Sequence, residues 1–247
     1  MKTVKKELRN VEIGKNFEIW GHAYTVLDGD DKGVFVLEAD AVCEMPFRED
    51  EVDYKVAAND FRDSSVRAYL EGTYTDKLVR VGAKLDEDIL PMNLDLKCTL
   101  GQHEYGVARV HAGLLTLEQY GKYYDIIPRI DTTYWLATPW KTPSHSPYTG
   151  GNDLVWGIGS VGGYSDIDGF NTYGVRPTLA LNPSLLVSVE CDEKEEEEEV
   201  DDVAHSKNLD TWNEYLNYLI KWAVTHANDE DYIGDQPLSY YDDWDKE

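Results

Sequence analysis

Hydrophobic positions change their spacing several times along the chain, and each change marks an element. Aromatic and β-branched residues crowd residues 17–27, the turn-forming Asp28-Gly-Asp-Asp-Lys-Gly33 interrupts them, and Val34-Phe-Val-Leu37 resumes, which is the pattern of a hairpin. In Asn59-Asp-Phe-Arg-Asp-Ser-Ser-Val-Arg-Ala-Tyr-Leu70 the apolar Val66, Tyr69 and Leu70 fall at helical spacing, with Ser64 or Ser65 placed to cap a short helix. Thr116 is likewise placed to cap a second short helix through residue 124, ahead of Pro128. Residues 133–178 turn to Gly, Ser, Asn, Pro and aromatics, a composition that predicts long irregular loops between two apolar stretches, 134–136 and 178–181. Long loops on a rigid scaffold are where binding usually resides.

The pattern breaks at Glu190-Cys-Asp-Glu-Lys, which leads into the acidic run 195–199 and Asp201-Asp202; self-repulsion and the lack of apolar residues predict a linker. Leu209, Trp212, Leu216, Leu219, Ile220 and Ala223 then recur at spacings of three and four, predicting an amphipathic helix over about residues 208–227. The expected organisation is a first domain over residues 1–189, an acidic linker over 190–207, and a helix with an acidic aromatic tail over 208–247.

Charge sharpens that division. The chain of 247 residues carries a formal net charge of −25; from Glu190 onward there are 20 acids against 4 bases, net −16, and before it 28 against 19, net −9. Such a charge disfavours direct binding to nucleic acid, because phosphates repel it, and favours a basic protein partner. Cys43, Cys98 and Cys191 are too few and too widely spaced for a disulfide framework or a Cys-x-x-Cys metal site. No stretch approaches the roughly 18 apolar residues of a spanning helix, and the basic start has no apolar run behind it. The expectation is a cytoplasmic protein that contacts no membrane.

Six phrases occur in the order seen in a family of uncharacterised domains from Firmicutes and their phages: Gly21-His-Ala-Tyr-Thr-Val-Leu27, Val34-Phe-Val-Leu37, Asp63-Ser-Ser-Val-Arg-Ala-Tyr-Leu70, Gly113-Leu-Leu-Thr-Leu-Glu-Gln-Tyr120, Tyr134-Trp-Leu-Ala-Thr-Pro139 and Tyr173-Gly-Val-Arg-Pro-Thr-Leu-Ala-Leu181. The first domain resembles that family over roughly residues 11–189. The resemblance implies an α+β fold of the C-type-lectin-like and formylglycine-generating-enzyme-like class, with short strands, two short helices and long loops. In it a Trp-Leu strand and a Gly-Val-Arg-Pro strand bracket display loops. The family usually has Arg before Ser-Pro where this chain has Ala137-Thr138-Pro139, and the acidic C-terminal extension lies outside the family pattern.

Chemistry is sparse. Oxidation of the formylglycine-generating kind needs paired cysteines near the C-terminal core, and Cys191 has no partner nearby in sequence. None of the six histidines forms a His-x-x-x-His pair or sits by a nucleophile motif, so no enzyme, cofactor or metal is expected. Asp28-Gly-Asp30-Asp31 and Asp166-Ile-Asp168-Gly-Phe-Asn171 mimic the start of calcium loops but lack a closing Glu, and read as turns.

Two candidate binding surfaces remain. The acidic residues Glu195, Glu196, Glu197, Glu198, Glu199, Asp201, Asp202, Asp229, Glu230, Asp231, Asp235, Asp242, Asp243 and Asp245 are interleaved with aromatics, and resemble in charge a short stretch of nucleic acid. They suit a protein that blocks a basic, nucleic-acid-handling host protein, such as a CRISPR effector, as a phage-encoded or mobile-element inhibitor. The alternative is a receptor- or ligand-binding module that uses Trp140, Tyr148, Asn152, Asp153, Trp156, Tyr164 and Tyr173 in the loops.

Overall fold

Strand β1, Thr3–Glu7, alternates exposed and half-buried residues and pairs antiparallel along its whole length with the last strand, β15, Leu186–Glu190, from Thr3↔Glu190 to Glu7↔Leu186. This is a computed structural model that describes residues 3–49, 58–143, 154–160 and 162–190. Backbone contacts divide the chain into Met1–Cys191 and Asp192–Glu247, and every described residue lies in the first unit. The predicted linker and the amphipathic helix over 208–227 lie outside the described residues.

The larger sheet runs β1-β15-β2-β3-β4-β14-β6, with β9 also on β14. β2, Asn16–Ile19, and β3, His22–Gly29, form a hairpin of their own, so the expected single run 17–27 is in fact two strands. Trp20 and Gly21 both take positive φ, 55° and 77°. That two-residue turn matches the twist of the flanking strands, and Trp is a rare residue in its first position. β4, Val34–Glu38, pairs with β3 as the pattern predicted. β6, Ile89–Leu90, β9, Ala112–Gly113, and β14, Thr178–Leu181, complete the sheet.

β4 sends alternate side chains to two cores. Val34 and Val36 join a large cluster with Phe61, Val66, Leu70, Tyr74 and Leu78, while Phe35 and Leu37 join a smaller one with Tyr120, Leu136 and Trp156. A central strand buried on both faces reads as a continuous apolar run, as this one does.

The first cluster is capped by helices. Ser64 Oγ accepts the Arg67 N–H at 3.0 Å and opens α1, Ser65–Tyr69. The helix does not stop near Leu70 as expected; it passes through a π turn, Leu70–Tyr74, into α2, Thr75–Arg80. A π turn inserts one residue and rotates the face that follows. Tyr74 thereby points at the large sheet, and Glu71 Oε1 accepts the backbone N–H groups of His111 and Ala112 at 2.8 and 3.0 Å.

On the other face α3, Leu117–Lys122, begins with the predicted Thr116 cap, completed as a capping box: Thr116 Oγ1 accepts Gln119 N–H at 3.1 Å and Gln119 Oε1 accepts Thr116 N–H at 2.9 Å. Thr116→Ala should cost about 1 kcal/mol of stability, read from the urea midpoint. An unchanged midpoint would show that packing alone holds α3.

The second sheet runs β12-β11-β10-β13-β5, from Tyr164–Asp168, Leu154–Ile158, Tyr134–Pro139, Thr172–Val175 and Cys43–Pro46 respectively. It corrects the long-loop expectation: the segment between Trp140 and Tyr173 contains β11 and β12 and enters β13. β10 is buried throughout, with Trp135 in the first core and Tyr134 and Leu136 in the second. β10 and β13 are parallel neighbours through Tyr134↔Gly174. A Cβ at Gly174 would stand 3.0 Å from Ala41 Cβ and Thr132 Cγ2, which is why glycine occupies that crossing. β7, Met92–Asp95, and β8, Val107–Val110, form a separate ribbon. Among the described residues no helix is long and apolar enough to cross a membrane.

Candidate functional site

The residue type least expected inside a sheet, a carboxylate, sits at the end of β4. Glu38 pairs in register with Tyr24 on β3 and is 5% exposed. Its Oε1 lies 2.8 Å from His22 Nδ1, and its Oε2 accepts the Tyr74 hydroxyl at 2.6 Å; Tyr24 and Tyr74 hydroxyls are 3.0 Å apart. His22 is the wet end of this chain, with a quarter of its side chain exposed.

Glu38 also anchors through its backbone. Arg176, 1% exposed, follows β13 and donates to three carbonyls: Nε to Glu38 at 2.8 Å, one terminal nitrogen to Ala39 at 2.9 Å and the other to Pro128 at 2.9 Å. Its guanidinium also covers the Tyr134 ring at 5.2 Å from the centroid. The Gly-Val-Arg-Pro phrase therefore places a buried fork that ties β4, the segment before β10 and β13 together. In the sequence Arg176 belongs to the Gly-Val-Arg-Pro phrase, and its place in an apolar strand run with no nearby acid is the one sign of its burial.

Burial governs the chemistry of the cluster. It raises the Glu38 carboxyl, against the opposing hydrogen bonds from Tyr74 and His22, and it raises the Tyr24 and Tyr74 hydroxyls. Cys43, hydrogen-bonded to Tyr69, is also raised by burial, so it stands as a thiol and a weak nucleophile. Cys43 and Cys98 are both free. The cluster thus links the buried Glu38 carboxyl to the part-exposed His22 ring across 2.8 Å.

The raised carboxyl has a pH consequence. The folded state holds the Glu38 proton more tightly than the unfolded chain, so its contribution to stability is fullest below the ordinary carboxyl range and is lost as pH rises through the raised value. Glu38→Gln keeps an oxygen for Tyr74 and removes the ionisation. Between about pH 4 and about pH 7 its stability relative to wild type should move in the variant's favour. A difference that stays constant over that window would show that Glu38 does not titrate there.

The loop aromatics divide differently from expectation. Trp156 stands on β11, 7% exposed, with its ring 5.2 Å from that of Trp140 and its indole N–H donated to Thr99 Oγ1. Tyr173 stands on β13, edge-on to Trp135 at 5.0 Å. Trp140 packs against the second core and Tyr173 against the first, both half-buried, while Trp156 is a member of the second core. Tyr164 opens β12. Tyr148, Asn152 and Asp153 lie outside the described residues, as do all the acidic candidates at 195–199, 201, 202, 229–231, 235, 242, 243 and 245.

The Asp-rich turns are spent on the protein itself. Asp28 accepts Lys122 Nζ at 2.6 Å and the Tyr123 hydroxyl at 2.7 Å; Asp30 accepts the N–H groups of Lys32 and Gly33; Asp168 accepts that of Phe170 at 2.9 Å. Among the described residues no three His, Cys, Asp or Glu side chains converge as a metal site.

No protein-family profile matches the chain, and neither a curated protein nor a solved structure is significantly similar to it. Fold and site define a class: a strand-rich α+β domain with few short helices, knitted by a buried Glu–Tyr–Arg network.

Proposed function

We propose that the protein is a non-enzymatic accessory protein of a phage or mobile element that acts in the host cytoplasm and binds a basic, nucleic-acid-handling host protein, its acidic C-terminal segment standing in for phosphates. A CRISPR effector is one partner of that chemistry. The observation that carries this reading is where the charge lies relative to the fold. β15 is held between β1 and β2 and ends at Glu190, so the last strand among the described residues ends where the charge run begins. Of the net −25, −16 falls from Glu190 onward. A segment that follows the last described strand and carries most of the charge is suited to contact with a basic partner.

For the domain itself we infer a C-type-lectin-like fold. Supporting it, the Trp135-Leu136 strand and the Gly174-Val-Arg-Pro strand are direct neighbours, and the segment between them adds β11 and β12 to the same sheet. A second reading, a receptor- or ligand-binding module using the 140–173 segment, is favoured by Trp140 and Tyr173, which are half-buried and keep part of their ring surface available for contact.

The test is capture on the immobilised full chain from nuclease-treated host lysate. Nucleic-acid-handling basic proteins should be retained at about 50 mM salt and released at about 500 mM. Retention of a partner that is indifferent to salt, with nucleic acid bound alongside, would overturn the acidic reading.

A further inference from the structure

A smaller cavity, of about 200 Å³, lies where the chain leaving α3 meets the turn between β11 and β12. Tyr120, Tyr124 and Tyr134 line it, with Ile158 as an apolar wall and Arg129 among the lining residues. The Tyr120 and Tyr124 rings stand edge to face, 5.7 Å apart at 90°, and the Tyr120 hydroxyl donates to the Gly162 carbonyl at 2.8 Å, which fixes that ring. The Tyr120 wall is thus held before anything enters.

The charge at this cavity is unlike that of the chain. In a protein of net −25, Arg129 is exposed and has no carboxylate or hydrogen-bond partner among the described residues. Behind Tyr134 the buried Arg176 is held by carbonyls and brings a second positive charge. Burial, followed by the neighbouring Tyr134 and Tyr124, pushes the Tyr120 hydroxyl up to about 12 against the opposing pull of both arginines. Asp125, also in the lining, is the one opposing carboxylate there among the described residues.

A planar guanidinium presents parallel donors that match a carboxylate, and tyrosine faces take flat or ring-shaped surfaces at low entropic cost. The volume is below the roughly 300 Å³ at which drug-sized ligands fit, and suits a single ring. We propose that this cavity binds a small ring carboxylate, with Arg129 pairing the carboxylate and the three tyrosines enclosing the ring. The site is built entirely from residues of the first unit.

The experiment is an NMR or calorimetric titration of the full chain with sodium benzoate and sodium glucuronate, against benzamide and glucose as their neutral counterparts. At least one carboxylate should bind with Kd of about 1 mM or tighter, at least about tenfold tighter than its neutral counterpart. Whether benzoate or glucuronate binds tells an aromatic from a sugar ring. Arg129→Gln and Tyr124→Ala, both at exposed positions, should each weaken binding, the first by about tenfold or more, with the ligand-free melting temperature unchanged. The proposal is overturned if neither carboxylate binds below about 10 mM. It is equally overturned if the neutral counterparts bind as well, or if Arg129→Gln binds like wild type.

Discussion

Arg176→Ala is expected to remove about 3–5 kcal/mol of stability, the largest loss among single changes to the described domain. The guanidinium is 1% exposed and donates to carbonyls of Glu38, Ala39 and Pro128, which belong to segments far apart in sequence. Alanine leaves those oxygens buried with no donor, opens a cavity against Tyr134, and frees the backbone beneath the Glu38 network. The effects are not additive, since the three bonds share one side chain. Arg176→Lys should recover little, because a single ammonium cannot span the three oxygens that the fork reaches. Urea unfolding followed by tryptophan fluorescence measures both variants. A loss below about 1 kcal/mol for Arg176→Ala would mean that water replaces the guanidinium and that the fork is not what ties the sheets together.

What was legible in the sequence was local. Turn residues at 28–33 marked the β3–β4 hairpin, and the oxygens of Ser64 and Thr116 marked two helix starts, because these signals act within four residues. The Trp20-Gly21 turn escaped because Trp is not a turn former; its half-buried ring packs on the first core, and tertiary packing outweighs local preference. The π turn escaped because its reason lies in Glu38 and in the backbone at 111–112, both distant from Leu70–Tyr74. Gly, Ser and aromatics over 154–168 looked like loop composition, yet β11 pairs residue by residue with β12, and its Trp156 fills the core. Glycine in a strand is read as a breaker when the neighbouring strand that accepts it is unknown. The polar cluster was invisible for the same reason, with His22 and Tyr74 lying 16 and 36 residues from Glu38.

Reversing the charge of the acidic run should weaken partner binding by about 100-fold or more, the equivalent of about 3 kcal/mol. Glu195→Lys through Glu199→Lys together add two units at each of five positions and bring the net charge from −25 to −15. A second variant, reversing Asp242, Asp243 and Asp245, separates the run from the tail. Neither should change the unfolding of the domain, whose last described strand ends at Glu190, and an unchanged urea midpoint would show that lost binding is not lost fold. If the acids occupy a phosphate channel, raising the salt should weaken the wild type steeply and the reversed variants much less, because screening acts on charges that the variants no longer supply. An oligonucleotide that binds the captured partner should displace the wild-type chain in proportion to its own affinity. If instead the 140–173 segment supplies the contact energy, reversal should alter chiefly the association rate and leave the dissociation rate near that of wild type. A dissociation rate unchanged by both variants, together with a complex in which partner, protein and oligonucleotide coexist, would transfer the binding site from the acidic segment to the folded domain.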